Sequence, residues 1–221
     1  MSSIPADLRA TQSPGDQFPG VPLPATLPWR ARPGAIYSVG LWVFMGVATT
    51  LFALFLTAYV MRMGTYDATA IVLPWQLWLS SAWLVAGSLS LQRASLTARL
   101  LAVERVRPWL LLGGVCALVF ITTQWWAWES LLARQVSLSG NPAGSLFYLL
   151  TAMHMLHVAG GLVAWTVAWR ALARREQAPS AEWRTALLAR YWHFLLLVWL
   201  VLFAAMSWIT PEVARIICRT A

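Results

Sequence analysis

The sequence predicts an all-α, polytopic membrane protein built as a bundle of five transmembrane helices. Hydrophobic residues make up 59% of the chain and charged residues 11%, giving a mean hydropathy of +0.63, outside the range of domains that fold in water. The apolar residues gather in five stretches that approach or exceed the roughly 20 residues a helix needs to cross a bilayer core of about 30 Å. The sixteen basic residues, all arginine, cluster between these stretches and mostly on one side of them.

Residues 1–34 hold seven of the twelve prolines and no periodic apolar pattern, so they read as a disordered or loosely docked cytoplasmic tail. They lack the basic and short apolar regions of a signal peptide. The membrane domain is expected over 35–212, with helices at Ala35–Met61, Ile71–Leu91, Pro108–Trp128, Leu146–Trp169 and Leu187–Ile209. Pro74 and Pro108 fall at or near the starts of these helices, where a missing backbone N–H is tolerated. Residues 213–221 read as a short C-terminal tail.

Orientation follows from arginine. Twelve arginines lie before the first helix and around the second and fourth connections, and four on the opposite side. The positive-inside rule then puts the N-terminus in the cytoplasm and the C-terminus outside. The net charge of +8 is a topology signal and a contact for anionic phospholipid headgroups, and nothing in it asks for nucleic acid. Cys116 and Cys218 offer neither a disulfide framework nor metal-ligand spacing, and no phosphate loop, HExxH or GxSxG is present.

What remains is polar content at membrane depth, where an unpaired imidazole costs several kcal/mol and so demands a reason. His154 and His157 share a helix face with Thr151 and Gly161. Counted from the arginine-marked edge, Ala48 to Thr50, Ser81 and His157 lie at similar depth, so His154, His157, Ser81, Thr50 and Thr151 are expected to form one internal polar layer that fixes helix packing. In that layer neutral imidazoles hydrogen-bond to hydroxyl or backbone groups of neighbouring helices. His193, three residues past Arg190, is shallower by about 15 Å at the helical rise per residue and cannot readily pair with them across a haem. Two histidines at i and i+3 point the same way and would not grasp both faces of a porphyrin, and no carboxylate lies deep in any span. The chain is therefore expected to bind no haem, copper or other metal itself.

At these residues the chain resembles subunit III of the haem–copper oxidases. Phe147 to Gly161, FYLLTAMHMLHVAGG, is similar to the family helix FYxLTGxHxLHVxxG, with Ala152 for the glycine. Tyr191 to Phe203, YWHFLLLVWLVLF, is similar to YWHFxDxxWLxLF. Weaker echoes are Leu77 to Ser88 and Gln124 to Trp128. The departures are specific: Ala48 stands where the family usually has a buried glutamate, Leu196 stands for the aspartate, and Ser80–Ser81 for Asn–Thr. The resemblance implies a non-catalytic subunit packed on subunits I and II, which hold the haem and copper and reduce oxygen with electrons from cytochrome c. It also implies bound phospholipid and support for assembly, proton uptake and durable turnover. Tyr191, Trp192, His193 and Trp128 are the residues expected at lipid or subunit contacts. Within the family, a third subunit of a quinol oxidase or nitric oxide reductase is the alternative. Outside it stand a b-type membrane cytochrome and a lipid-binding scaffold.

Overall fold

The computed structural model describes residues 33–64, 73–100, 103–134, 142–174 and 178–219, all of them helical or in short turns and bends, with no strand among them. The proline-rich tail of residues 1–32 lies outside the described residues. Six helices follow in order: α1 Pro33–Met63, α2 Gln76–Arg99, α3 Val103–Ala133, α4 Pro142–Ala173, α5 Ala178–Trp208 and α6 Pro211–Arg219.

Four of these, α1, α3, α4 and α5, are long and apolar enough to cross a membrane. The helices overrun the expected limits because arginine-rich ends continue helically past the hydrocarbon. Two expectations change as a result. Pro108 is interior to α3, which begins at Val103, so its ring removes one ladder bond inside the helix rather than at its start. The second helix starts five residues later and ends eight later than expected, since Pro74 and Trp75 precede its first turn. The third unexpected feature is α6, which runs across the expected boundary between membrane domain and tail at 212/213.

Contacts fix the directions. Gly87 faces Cys116 while Ser80 meets Gln124, so α2 and α3 are antiparallel. Trp165 reaches Leu110 while Trp128 reaches Thr151, which makes α3 and α4 antiparallel, and Tyr191–His157 with His154–Trp199 does the same for α4 and α5. By contrast α1 runs parallel to α5, through Tyr37–Trp183, Ser38–Arg190 and Phe44–Tyr191. Helices α2, α3, α4 and α5 pack in a ring, each on the next and α5 back on α2, while α1 lies outside it on α4, α5 and α6.

Burial explains why α2 is the least apolar of the long helices. Its buried side includes Gln76, Ser80, Ser81, Ser88, Ser90 and Ser95, and its exposed positions carry Trp78, Val85, Leu89 and Leu96. Polar groups face protein and apolar groups face outward, the arrangement a helix adopts when its surroundings are hydrocarbon. Close approach is set at Trp192, fully buried between α2 and α4: a Cβ on Gly161 would lie 2.6 Å from its Cζ3, and one on Gly87 would lie 3.5 Å from its Nε1.

Candidate functional site

The two motif helices, α4 and α5, meet the rest of the bundle through a series of directional bonds. Trp199 on α5 donates its Nε1–H to Ser81 Oγ on α2 at 2.8 Å, in a fully buried setting, and Ser81 passes its own proton to Leu77 O at 2.7 Å. One turn outward, Gln124 Nε2 on α3 donates to Ser80 Oγ at 3.2 Å. Trp128 Nε1 donates to Thr151 Oγ1 at 3.1 Å, linking α3 to α4. Toward the other end, His193 bridges α5 to α2. Gln92 Oε1 accepts from its Nε2 at 3.0 Å, so that nitrogen carries the proton, and the Ser88 hydroxyl donates to Nδ1 at 2.6 Å. Tyr191 donates its hydroxyl proton to His157 O at 2.9 Å.

His154 is the exception. It is fully buried, and neither ring nitrogen has a hydrogen-bond partner. Its neighbours are aromatic: Trp199 at 5.1 Å between ring centroids, Phe120 edge-on at 5.7 Å and Phe52 at 6.2 Å. His157, one turn away, donates Nδ1–H to Met153 O of its own helix at 2.7 Å, because a carbonyl can only accept. Phe44 and Phe52 of α1 both pack on its ring, at 5.8 and 5.2 Å. Ala48 lies one turn from each of these phenylalanines and is 3% exposed, so the position that resembles the family glutamate faces the histidines as a methyl group.

Several expected site residues therefore stand elsewhere. The single polar layer is not formed. Thr50 is exposed on the outer side of α1 and returns its hydroxyl proton to Val47 O, because α1 is an edge helix with little of its surface inside the protein. Ser81 serves Trp199, Thr151 serves Trp128, and His154 is met by aromatic rings instead of the expected hydroxyl or backbone partners. Trp192, expected at a lipid or subunit contact, has no exposed surface and fills the interior between α2 and α4. His193 is exposed and Trp128 is partly so. Sequence reasoning missed Trp199 and Gln92 as hydrogen-bonding partners. A signal was available, since Trp199 follows Trp192 by seven residues and so shares its buried face.

On the α1 side a groove of about 800 Å³ opens between α1, α4 and α5. Its walls include Gly40, Phe44, Gly160 and Tyr191, and at its arginine-marked end Arg184 sits over the Trp183 ring at 5.3 Å. Gly160 has open space where a side chain would be, whereas neighbouring Gly161 is packed. Arg190 on α5 donates to Ser38 Oγ on α1 at 3.0 Å. No group of three or more His, Cys, Asp or Glu side chains able to hold a metal occurs among the described residues.

Comparison with known proteins adds an independent line. Residues 109–210 match the family model described as cytochrome c oxidase subunit III, a range that includes both α4 and α5 motifs. A probable cytochrome c oxidase subunit 3 of Mycobacterium leprae is 27% identical over 159 residues, covering 72% of this chain and 79% of that one. One of Nocardia farcinica is 30% identical over 129 residues, 58% of this chain and 64% of the relative. The cytochrome c oxidase subunit 3 of Synechocystis is 23% identical over 211 residues, 91% of this chain and 84% of its own length. Against several relatives, including those of Mycobacterium bovis and Mycobacterium tuberculosis at 62%, the match covers less than two thirds of the relative's length.

Proposed function

We propose that the chain is a member of the haem–copper oxidase subunit III family and serves as the non-catalytic third subunit of a bacterial terminal oxidase, seated on subunits I and II and sustaining their assembly, proton uptake and turnover. The relatives bear the name of cytochrome c oxidase, which favours cytochrome c over quinol as the electron donor of the complex. Oxygen reduction belongs to the partner subunits.

One observation supports this reading above the others: the motif residues of α4 and α5 are occupied in holding helices together. Tyr191, His193 and Trp199 each bond across to another helix, and Trp192 fills the space beneath Gly161. A b-type cytochrome would need an imidazole open to an iron, and His154 is instead surrounded by Phe52, Phe120 and Trp199.

The proposed topology has five spans, with α2 as the fifth. Its 24 residues rise about 36 Å, enough to cross, and its outward residues from Trp78 to Leu89 are apolar, ahead of exposed Arg93 and Arg99. The N-terminus is then cytoplasmic, since Arg93, Arg99, Arg105, Arg107, Arg170, Arg174, Arg184 and Arg190 gather at one end of the bundle. Exposed Trp75, Trp125, Trp126 and Trp208 supply an aromatic belt at the other. In the groove, an acyl chain of a phospholipid lies along Gly40, Phe44 and Gly160, with its phosphate beside Arg184. Without a carboxylate at Ala48, any support for proton uptake comes through packing and lipid, not through a titrating group there.

Tagging the chain, purifying it in mild detergent and identifying its companions by mass spectrometry tests the proposal. Recovery of a haem–copper catalytic subunit is the expected result, and a chain that purifies alone and colourless would refute it.

A further inference from the structure

The last helix, α6, is not accounted for by the subunit's packing. The chain leaves α5 at Trp208, turns at Ile209–Thr210, and starts again at Pro211, the position where proline's missing N–H costs nothing. Ala214 N–H bonds to Thr210 O at 2.9 Å, and Thr210 Oγ1 accepts from Val213 N–H at 3.5 Å, so the new helix is started by Thr210 and does not prolong α5. It then packs on α1. Because α1 and α5 run parallel, α6 sits at the end of the bundle where Met63 and Trp208 lie, away from the arginine-rich connections.

At about 100° per residue the helix divides into three sectors. Ala214 points into the protein and is fully buried. Val213 and Ile216, three apart and so on one face, are 40% and 65% exposed. Glu212 and Arg215 form the charged sector, about 100° and 160° round the helix from Val213; the Glu212 side chain is exposed, and Ile216 borders it about 40° away. Exposed apolar side chains also stand at the same end of the bundle: Met61 on the last turn of α1 is 65% exposed and Trp208 at the end of α5 is 79% exposed.

We propose that α6 is an interfacial anchor: it lies in the outer leaflet at the boundary between headgroups and acyl chains, with Val213 and Ile216 in lipid, Ala214 on α1 and Glu212 toward water. A helix with one apolar sector, a charged sector and too little length to cross takes this position because the apolar side chains leave water while the charged ones keep it. By holding the ends of α1 and α5 at one depth, α6 ties the edge helix to the bundle at the interface. The inference rests on the membrane topology proposed above.

Nitroxide labels test it. Val213→Cys, Glu212→Cys and Leu197→Cys are each placed in the Cys218→Ser full chain, purified with its companions and put into vesicles of phosphatidylethanolamine and phosphatidylglycerol. Collision rates with oxygen, which concentrates in hydrocarbon, and with a water-soluble nickel chelate are then compared. All three positions are exposed, so the labels do not enter the packing. The expected oxygen-to-nickel ratio at 213 is several-fold above that at 212 and close to that at 197, in the middle of α5. Equal ratios at 213 and 212 would overturn the inference, low ones by placing the apolar sector in water and high ones by placing the charged sector in lipid, and shielding of 213 from both reagents would overturn it in favour of a covering protein chain. A low ratio at 197 as well would overturn the membrane topology together with the anchor.

Discussion

Gly161→Ala, set against Gly160→Ala, probes the packing that the α4 motif provides. A methyl at 161 would sit 2.6 Å from Trp192 Cζ3, 3.1 Å from its Cη2 and 3.1 Å from Tyr191 Cε1. No real contact is so short, and Trp192 has little room to retreat, because it is fully buried and Gly87 of α2 borders its Nε1 side. Overpacking of this kind costs about 1–3 kcal/mol, from which the gain of replacing a helical glycine, about 0.5–1 kcal/mol, must be subtracted. The expected net loss is therefore about 0.5–2 kcal/mol. At Gly160 nothing lies within 4 Å, so only the backbone gain remains and the variant is neutral or more stable by up to about 1 kcal/mol. Unfolding free energies from SDS titration in mixed micelles, followed by circular dichroism, give both values. A Trp192→Phe partner completes the test, since removing the larger ring system relieves the clash and should make Gly161→Ala less costly by at least about 0.5 kcal/mol. Equal effects at 160 and 161, or no coupling to Trp192, would refute the packing argument.

Further expectations concern single bonds and the groove. Trp199→Phe and Ser81→Ala each remove the same interhelical bond, so their double-mutant cycle should show a coupling of about 0.5–1.5 kcal/mol, the range for polar pairs in membranes; additive effects would count against that bond. Thr151→Val deprives Trp128 of its acceptor and should destabilise by about 1 kcal/mol, while Thr50→Val, whose hydroxyl bonds only its own helix, should stay within about 0.5 kcal/mol of the parent in the same titration. Gly160→Phe points a ring into the open groove and should lower the phospholipid retained per purified subunit by one, read by native mass spectrometry, with helix content unchanged. Unaltered lipid count would remove the groove from consideration as the binding site.

Much about this protein is decided by local properties of the chain. Apolar length and arginine placement are local, because the transfer of each side chain between water and hydrocarbon depends little on its neighbours, so the helical membrane class and the long helices are legible from composition alone. The motifs of α4 and α5 were also legible, and with them the similarity to cytochrome c oxidase subunit III. Partner choice is not local. Spacing at i and i+3 shows that His154 and His157 share a face, but what meets that face depends on which helices pack against it. Only the bundle shows Phe52, Phe120 and Trp199 around His154, and Met153 O beneath His157. Thr50 and Ser81 illustrate the same point: both are hydroxyls at similar depth, yet α1 lies at the edge and turns Thr50 outward, while α2 packs on α5 and turns Ser81 to Trp199. Trp192 is interior because Gly161 and Gly87, about seventy residues apart in sequence, leave room for one indole between two helices. The chain by itself determines which segments are helical and which ends are charged. The tertiary structure decides which polar groups are bonded, because at membrane depth a hydrogen bond needs a partner that only another helix or the helix's own backbone can bring.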